Sequence, residues 1–363
     1  MSKYRAETVG SFLRPDYLLN ARQNFAAGQI AAPLLREVED KAIREIVALQ
    51  ESIGFRVVTD GELRRENWWI DFIARLHGVE ITAGSVATSF DKSYIPMRVH
   101  TTGKLAIDAP IVVSDFQFLA SITGQDAKVT IPSPTRMHFH GGRSAVSKEA
   151  YPDIEEFFAD IANIYRGEIA RLEEAGCRYI QIDDPLLTYF LSRKLRAEIE
   201  AEGDSPDRRL AQYVELLNSC IAHRRSTTTI GIHLCRGNAR SEWMVEGGYE
   251  GIAEQCFGSL AVDRYLLEFD DPRSGSFEPL RFIPDDKDVV LGLITTKTAA
   301  LENKDAVKRR LDEATRFVPL ERLAMGPQCG FASVVEGNKI TAADQSAKLA
   351  LVVDVACEVW GTP

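Results

Sequence analysis

His233 and Cys235 are the residues whose types and spacing point most directly to chemistry. They lie in the segment TTTIGIHLCRGN, residues 227–238, which predicts a buried strand that runs into a turn. Side chains two positions apart on a strand point to the same side, so the imidazole and the thiol would be neighbours. Zn²⁺ binds both kinds of ligand. The alternative is a core histidine beside an inert buried cysteine.

Two further polar groups follow predicted strands near the N-terminus. Gly10 and Ser11 come at the end of the segment ETVGSF, where a glycine would let a ligand approach the backbone closely. A simple strand-to-loop turn would use the same residues. Asp60 and Glu62 stand where the next apolar run stops, in the sequence DGELRR. Clustered charges at that position indicate either the mouth of a site or a capped loop.

Asp183 and Asp184 follow a strand predicted over residues 178–182. Two carboxylates at a strand end repel each other unless a cation or a hydrogen-bond donor is present. Asp184 precedes Pro185 and fits the N-cap of the next helix. Asp183 is therefore the candidate for binding a substrate ammonium.

His138 and His140 form another pair, in a loop after a strand predicted over residues 127–131. No cysteine or carboxylate accompanies them at metal-ligand spacing. The sequence therefore favours a substrate-contacting or solvated loop over a metal site. Arg143 in the same loop could bind an anion.

The composition limits the classes of function. The 363 residues carry a net charge of −10, with 45% hydrophobic and 26% charged residues. This is typical of a globular enzyme whose core is large enough to fold without disulfides or a structural metal. The negative charge argues against nucleic acids and anionic membranes as partners. Six cysteines without framework spacing favour a reducing, cytoplasmic location, and we expect neither a signal peptide nor a transmembrane segment.

Eight predicted strands alternate with predicted helices along most of the chain. Parallel pairing through right-handed crossovers is the expected result, and it predicts one (β/α)₈ TIM barrel over residues 1–363. Apolar and polar side chains alternate over residues 79–110, which predicts a β-hairpin inserted after the second strand. The predicted strands begin at residues 7, 55, 127, 178, 227, 261, 288 and 323.

Such a barrel would gather the candidate ligands around one mouth, where barrels of this type place their active sites. Strand five carries His233 and Cys235, strand six ends near Glu268, and strand eight leads to Cys329 in the turn PQCG. One imidazole, two thiolates and one carboxylate suffice for a tetrahedral zinc site. One ligand could leave when a substrate thiol enters, and the metal would then lower the pKa of that thiol.

The chain resembles the catalytic C-terminal barrel of cobalamin-independent methionine synthase, in particular the short members with a single barrel. The resemblance rests on motifs that span nearly the whole chain in the order of that family. They are VGSF (9–12), DGELRR (60–65), QIDDP (181–185), HLC (233–235), LEF (267–269) and PQCG (327–330).

The resemblance implies roles for these residues. The four candidate ligands would hold a catalytic zinc, which the sulfur of homocysteine joins. Gly10 and Ser11 would contact the carboxylate of the amino acid, and Asp183 its amine. Asp60 and Glu62 belong to the matching DGELRR motif, and we expect them to take part in substrate binding.

Three positions depart from the pattern of the family. Ile70 stands where the family has a glutamate that helps to bind the homocysteine amine. Residues 132–134 replace a segment with a folate-stacking tryptophan, and Thr295 lies near the place of a proton-donating histidine. Methyltetrahydrofolate is a poor methyl donor unless its N5 is protonated. These changes leave the donor open between a methylated folate, a methyl-corrinoid and another small electrophile.

The expected function is zinc-dependent alkyl transfer to a thiol, most simply methyl transfer to homocysteine giving methionine. Another small thiol, such as coenzyme M, is an alternative acceptor. A metal-free decarboxylase of the same barrel superfamily would need a cationic cleft, and a non-catalytic barrel would bind zinc without turnover. If the chain forms a homo-oligomer, the hairpin and the Trp68–Trp69 pair are the candidate contact surfaces.

Overall fold

The computed structural model describes residues 4–84 and 97–363. Its centre is a curled sheet of seven parallel strands, and a separate antiparallel pair lies between the first and second of these in the chain. The strands are β1 (Val57–Val58), β2 (His77–Ala83), β3 (Met97–Ala106), β4 (Asp126–Pro132), β5 (Tyr179–Asp183), β6 (Thr229–Leu234), β7 (Arg264–Glu268), β8 (Asp288–Ile294) and β9 (Leu323–Pro327). Strands β2 and β3 form the antiparallel pair.

The seven strands β1 and β4 to β9 pair in chain order, as the alternation of strands and helices predicts. The result is a TIM-barrel-like fold. The helices are α1 (Asp16–Ala26), α2 (Ala32–Ile53), α3 (Ile70–Ile73), α4 (Val113–Ile122), α5 (Arg136–Phe139), α6 (Ile154–Glu174), α7 (Leu186–Tyr189), α8 (Arg193–Ala201), α9 (Pro206–Ile221), α10 (Glu250–Ser259), α11 (Lys304–Ala314) and α12 (Ala342–Trp360).

The first predicted strand, residues 7–12, is not a regular strand. Ala6 forms a single parallel bridge to Met325 of β9, and the hydroxyl of Thr59 donates to the carbonyl of Gly10 at 2.7 Å. The segment therefore contacts both edges of the curled sheet. The φ of 151° at Gly10 interrupts the extended backbone that a continuous ladder would need, so the prediction of eight regular strands is corrected to seven.

The helix predicted over residues 67–76 is reduced to the single turn α3. Asn67 pairs with Val334 in an antiparallel bridge, and the amide of Trp68 donates to the carbonyl of Ser333 at 3.0 Å. These contacts bind the start of the segment to the loop after β9, and the chain forms a turn there before α3 begins. Helices α1, α4, α5 and α8 have no counterpart among the predicted elements.

The segment predicted as an inserted hairpin, residues 79–110, is described in part. Strands β2 and β3 pair from Ala83 with Met97 to His77 with Ala106, with an irregularity next to His77. Residues 85–96, the middle of the segment, lie outside the described residues. Among residues 4–84 and 97–363, no helix combines the length and the apolar character needed to cross a membrane.

An ion-pair chain occupies the interior of the sheet. Lys128 Nζ lies 2.8 Å from Glu7 Oε2, and Arg264 Nε lies 2.8 Å from Glu7 Oε1. Lys128 Nζ also donates to the carbonyl of Thr8 and, at 2.8 Å, to Gln181 Oε1. Burial would raise the pKa of Glu7, but the two cations lower it. Buried charges are tolerated only when they are paired in this way.

Replacing Lys128 by methionine should lower the free energy of unfolding by about 3–5 kcal/mol, because it leaves buried acceptors without their donor. Lys194→Met is the control, since the Lys194 ammonium is exposed and lies 3.9 Å from Glu198; its effect should stay below about 1 kcal/mol. Denaturant titration measures both variants. A similar small loss for both would contradict a paired role for Lys128.

Candidate metal and substrate site

His233, Cys235 and Cys329 meet at the carboxyl end of the sheet. His233 is the penultimate residue of β6 and Cys235 directly follows the strand, whereas Cys329 comes two residues after β9. Only 3%, 3% and 4% of their respective surfaces are exposed. The structure thus brings together three of the four predicted metal ligands, at the end of the barrel where active sites form.

The three side chains have the spacing of a metal-ligand group. Their potential ligand atoms all lie within 4.8 Å of one another, and the sulfurs of Cys235 and Cys329 are 3.7 Å apart. Two sulfurs bound to one tetrahedral zinc, each about 2.3 Å from the metal, would lie about 3.8 Å apart. Within the described residues, neither ring nitrogen of His233 has a hydrogen-bond partner. A buried imidazole without a partner, next to two sulfurs at this separation, fits zinc.

The charges in the group also fit a cation. The neighbouring Cys235 and the His233 ring hold the pKa of Cys329 well below its usual range. Cys329 in turn raises the pKa of Cys235. Burial opposes protonation of His233, but its contact with Cys329 raises the pKa of the imidazole. Cys329 is thus the more acidic of the two thiols, and a bound cation would favour the thiolate form of both.

Glu268, the fourth predicted ligand, lies beside this group but is not part of it. It ends β7, and its carboxylate accepts hydrogen bonds from the backbone amide of Arg236 at 2.6 Å, from Arg273 at 2.7 Å and from Lys297 at 3.4 Å. Burial would raise the pKa of Glu268, but the side-chain charges of Lys297, Arg236 and Arg273 lower it to about 2. The bond to the Arg236 amide places the carboxylate next to Cys235.

Glu62 and Asp183 line the same cavity as the metal-ligand group. Burial, and after it the charge of Glu62, raises the pKa of Asp183 to about 7, and burial raises the pKa of Glu62 as well. Glu62 has a φ of 55°, a conformation that costs free energy and that clusters at binding sites. Two carboxylates sharing one cavity favour a positively charged ligand.

Asp60 does not line this cavity. Its carboxylate accepts a hydrogen bond from the amide of Glu62 at 2.9 Å, and Thr130 donates to the Glu62 carboxylate at 2.9 Å. Asp60 therefore stabilises the turn that presents Glu62. Its predicted contact with substrate has no counterpart in the lining of the cavity.

Ser11 lines the cavity, and the backbone around it is closely packed. A Cβ on Gly330 would overlap Ser11 Oγ, and a Cβ on Gly10 would lie 2.7 Å from the Thr130 side chain. Neither position has room for a side chain. Gly10 and Gly330 thus allow the chain segments around Ser11 to approach one another; Ser11 and Gly330 line the cavity, and Gly10 does not.

Residues 5–357 match the family model described as the catalytic domain of cobalamin-independent synthase. The chain belongs to this family. The match covers nearly all of the described residues, and it confirms the resemblance seen in the motifs. Membership supports assignment of the chain as a methyltransferase.

Three proteins show how the chain compares with this family. "Uncharacterized protein YxjH" of Bacillus subtilis is 44% identical over 360 residues, 98% of this chain and 95% of that protein. "Methionine synthase" of Pyrococcus abyssi is 24% identical over 332 residues, 89% of this chain and 84% of that protein. The crystal structure of a candidate vitamin-B12 independent methionine synthase from Listeria monocytogenes has a TM-score of 0.77 at 33% identity, with 99% of both chains covered.

Several residues that line the cavity were not predicted as site residues. Trp68, Trp69, Tyr189, Met244 and Arg136 all contribute to its wall. Trp69 is only 3% exposed, and the Arg136 guanidinium lies over its ring at 4.0 Å. The Trp68–Trp69 pair therefore contributes to the cavity wall, and its role as a contact surface between copies of the chain stays a prediction. The signal available in the sequence was the position of the pair, which begins three residues after the end of the DGELRR motif.

His138 and His140 have different surroundings. His138 Nδ1 lies 3.0 Å from the Tyr213 hydroxyl, and burial lowers the pKa of His138 to about 4. His140 lines the cavity, and burial lowers its pKa well below the usual value. Neither belongs to the metal-ligand group. One of the pair is thus a neutral core residue and the other a neutral imidazole in the cavity wall.

Proposed function

We propose that this chain is a zinc-dependent methyltransferase that methylates the thiol of homocysteine to give methionine. One observation carries the proposal: the metal-ligand group and the two carboxylates share a single cavity. His233, Cys235 and Cys329 lie in its lining together with Glu62 and Asp183. This arrangement suits a substrate with a thiol at one end and an ammonium at the other.

His233, Cys235 and Cys329 would hold the zinc. Glu268 is the candidate for a fourth ligand, and its contact with the Arg236 amide keeps it within reach of Cys235. When bound, zinc lowers the pKa of a thiol that joins it, so that the sulfur stays nucleophilic near neutral pH, where a free thiol with a pKa of about 8.5 is mostly protonated.

The residues of the chain itself bind and orient the amino acid. Asp183 and Glu62 accept hydrogen bonds from its ammonium, and the segment of Gly10 and Ser11 binds its carboxylate. This orientation directs the thiol toward the metal-ligand group. The thiol loses its proton to solvent, and the sulfur–carbon bond then forms as the bond between the donor and its methyl group breaks. The demethylated donor keeps the electron pair of the broken bond. Holding both reactants in line supplies much of the acceleration.

The charges of the cavity disfavour the alternative functions. Coenzyme M carries a sulfonate and no ammonium, so Asp183 and Glu62 would repel it or leave their carboxylates unpaired. A decarboxylase acting on a polyanion needs a cationic cleft, whereas Arg136 is the one arginine or lysine in the cavity lining that the structure describes. The donor is a methylated folate, a methyl-corrinoid or another small electrophile, and the aromatic wall formed by Trp68, Trp69 and Tyr189 would contact it.

A matrix of acceptors and donors tests the proposal. Zinc-loaded protein is incubated with homocysteine or coenzyme M, each in combination with methyltetrahydrofolate, its polyglutamate form or methylcobalamin. We expect methionine from homocysteine with at least one donor, and no methylated coenzyme M above the protein-free background. Methylation of coenzyme M instead of homocysteine would contradict the acceptor. Full zinc loading without methyl transfer to either thiol would contradict the catalytic role.

A further inference from the structure

We infer that Gln181, oriented by Lys128, is a positioning residue that aims the carboxylate of Asp183 at the substrate ammonium. The inference rests on the proposed function and deepens it, because it assigns amine recognition to a buried chain of residues behind the cavity wall. Gln181 and Lys128 do not line the cavity, so both act through Asp183.

Every hydrogen-bonding group of the Gln181 amide is in use. The side chain is fully buried. Its Oε1 accepts from Lys128 Nζ at 2.8 Å, and its Nε2 donates to the carbonyl of Val9 at 2.6 Å and to Asp183 Oδ1 at 2.7 Å. The amide therefore connects the ion-pair chain in the sheet interior to the carboxylate in the cavity.

Lys128 determines which way the amide faces. An ammonium can only donate hydrogen bonds, so the amide oxygen of Gln181, and not its NH₂ group, must face Lys128. The NH₂ group must then face Asp183. Glu7 holds Lys128 in turn, at 2.8 Å with no exposed surface on either side chain. The orientation of Gln181 is thus set by a buried charge that lies outside the cavity lining.

The consequence lies at Asp183. Its Oδ1 is fixed by Gln181, and within the described residues its other oxygen has no hydrogen-bond partner. Because Asp183 lines the cavity, that oxygen is available to an ammonium. A carboxylate held in one rotamer loses less conformational entropy on binding than a mobile one, so Gln181 should strengthen recognition of the amine without touching the ligand.

The test measures recognition of the amine separately from catalysis. Isothermal titration gives the dissociation constants of methionine and of its des-amino analogue 4-(methylthio)butanoate, with and without added zinc. In the natural protein we expect the analogue to bind about 100-fold more weakly, which corresponds to charged hydrogen bonds of ordinary strength. Gln181→Leu should reduce the ratio of the two dissociation constants, analogue to methionine, about tenfold. In an Asp183→Asn background, the same substitution should change the ratio by less than about twofold.

Gln50→Leu is the matched control. Gln50 is also fully buried and makes three hydrogen bonds, to Ile46 and Thr59. The Gln50→Leu variant should therefore be less stable but keep the natural ratio of dissociation constants. If Gln181→Leu does not fold, Lys128→Gln removes the ammonium that orients the amide and should lower the ratio in the same direction. An unchanged ratio in the folded variant, together with a reduced ratio in Asp183→Asn, would overturn the positioning role alone. A natural protein that binds both ligands equally would overturn the proposed substrate and the positioning role together.

Discussion

Cys329→Ser is expected to lose zinc and methyl transfer while the sheet remains folded. A hydroxyl is a far poorer ligand than a thiolate for this metal, and only His233 and Cys235 would remain of the three-residue group. Substitutions of residues that merely support a ligand cost about 10–100-fold in metal affinity, so loss of a direct ligand should exceed 100-fold. Cys235→Ser should behave in the same way. Elemental analysis gives the metal content, and circular dichroism with denaturant titration tests the fold.

Cys357→Ser is the control for this pair, because Cys357 is an exposed cysteine on α12. It should keep its zinc and its activity. Zinc content and turnover that survive in both Cys235→Ser and Cys329→Ser would rule out the assigned metal site. Loss of the fold in these variants, with the control intact, would instead indicate a structural role for the group.

Asp183→Asn should raise the KM for homocysteine. The substitution keeps the shape of the side chain and removes its charge, so the ammonium loses an ionic hydrogen bond. A bond of that kind contributes about 1.5–3 kcal/mol, which predicts about a 10- to 150-fold loss in kcat/KM. Initial rates over a range of homocysteine concentrations measure it. Asp207→Asn, an exposed residue at the start of α9, should leave KM unchanged.

The pH dependence of KM follows from the same carboxylate. The pKa of Asp183 is raised to about 7, so the group is protonated below that pH and ionised above it. Protonation removes the charge that binds the ammonium. KM for homocysteine should therefore increase as the pH falls through 7, by up to tenfold per pH unit for a single proton, and Asp183→Asn should remove this dependence. A KM that is flat between pH 6 and 8 in the natural protein would contradict the role of Asp183.

The three candidate metal ligands were accessible to sequence reasoning because their grouping depends on local geometry and on topology. His233 and Cys235 share one side through the two-residue period of a strand, and Cys329 joins them because parallel strands end at one edge of the sheet. The position of Glu268 was less accessible. Its contacts with Arg273 and Lys297 depend on loop conformations after two different strands, which no local pattern in the sequence specifies.

The parts of the fold that were missed depend on contacts between distant segments. Residues 7–12 have the composition of a strand, but Gly10 at a φ of 151° interrupts the ladder. The segment after Arg65 has the composition of a helix, but Trp68 and its neighbour bind the loop after β9. Nor does any motif announce that Glu7 and Lys128 form an ion pair inside the sheet, because 121 positions separate them in the chain.

Zinc K-edge X-ray absorption, recorded with and without homocysteine, tests the central claim most directly. The proposed site predicts stoichiometric zinc with two sulfur ligands, from Cys235 and Cys329, together with the imidazole of His233. Homocysteine should raise the number of sulfur ligands from two to three. Protein that folds without zinc at full supply, or a sulfur count that homocysteine leaves at two, would contradict a site that activates the substrate thiol.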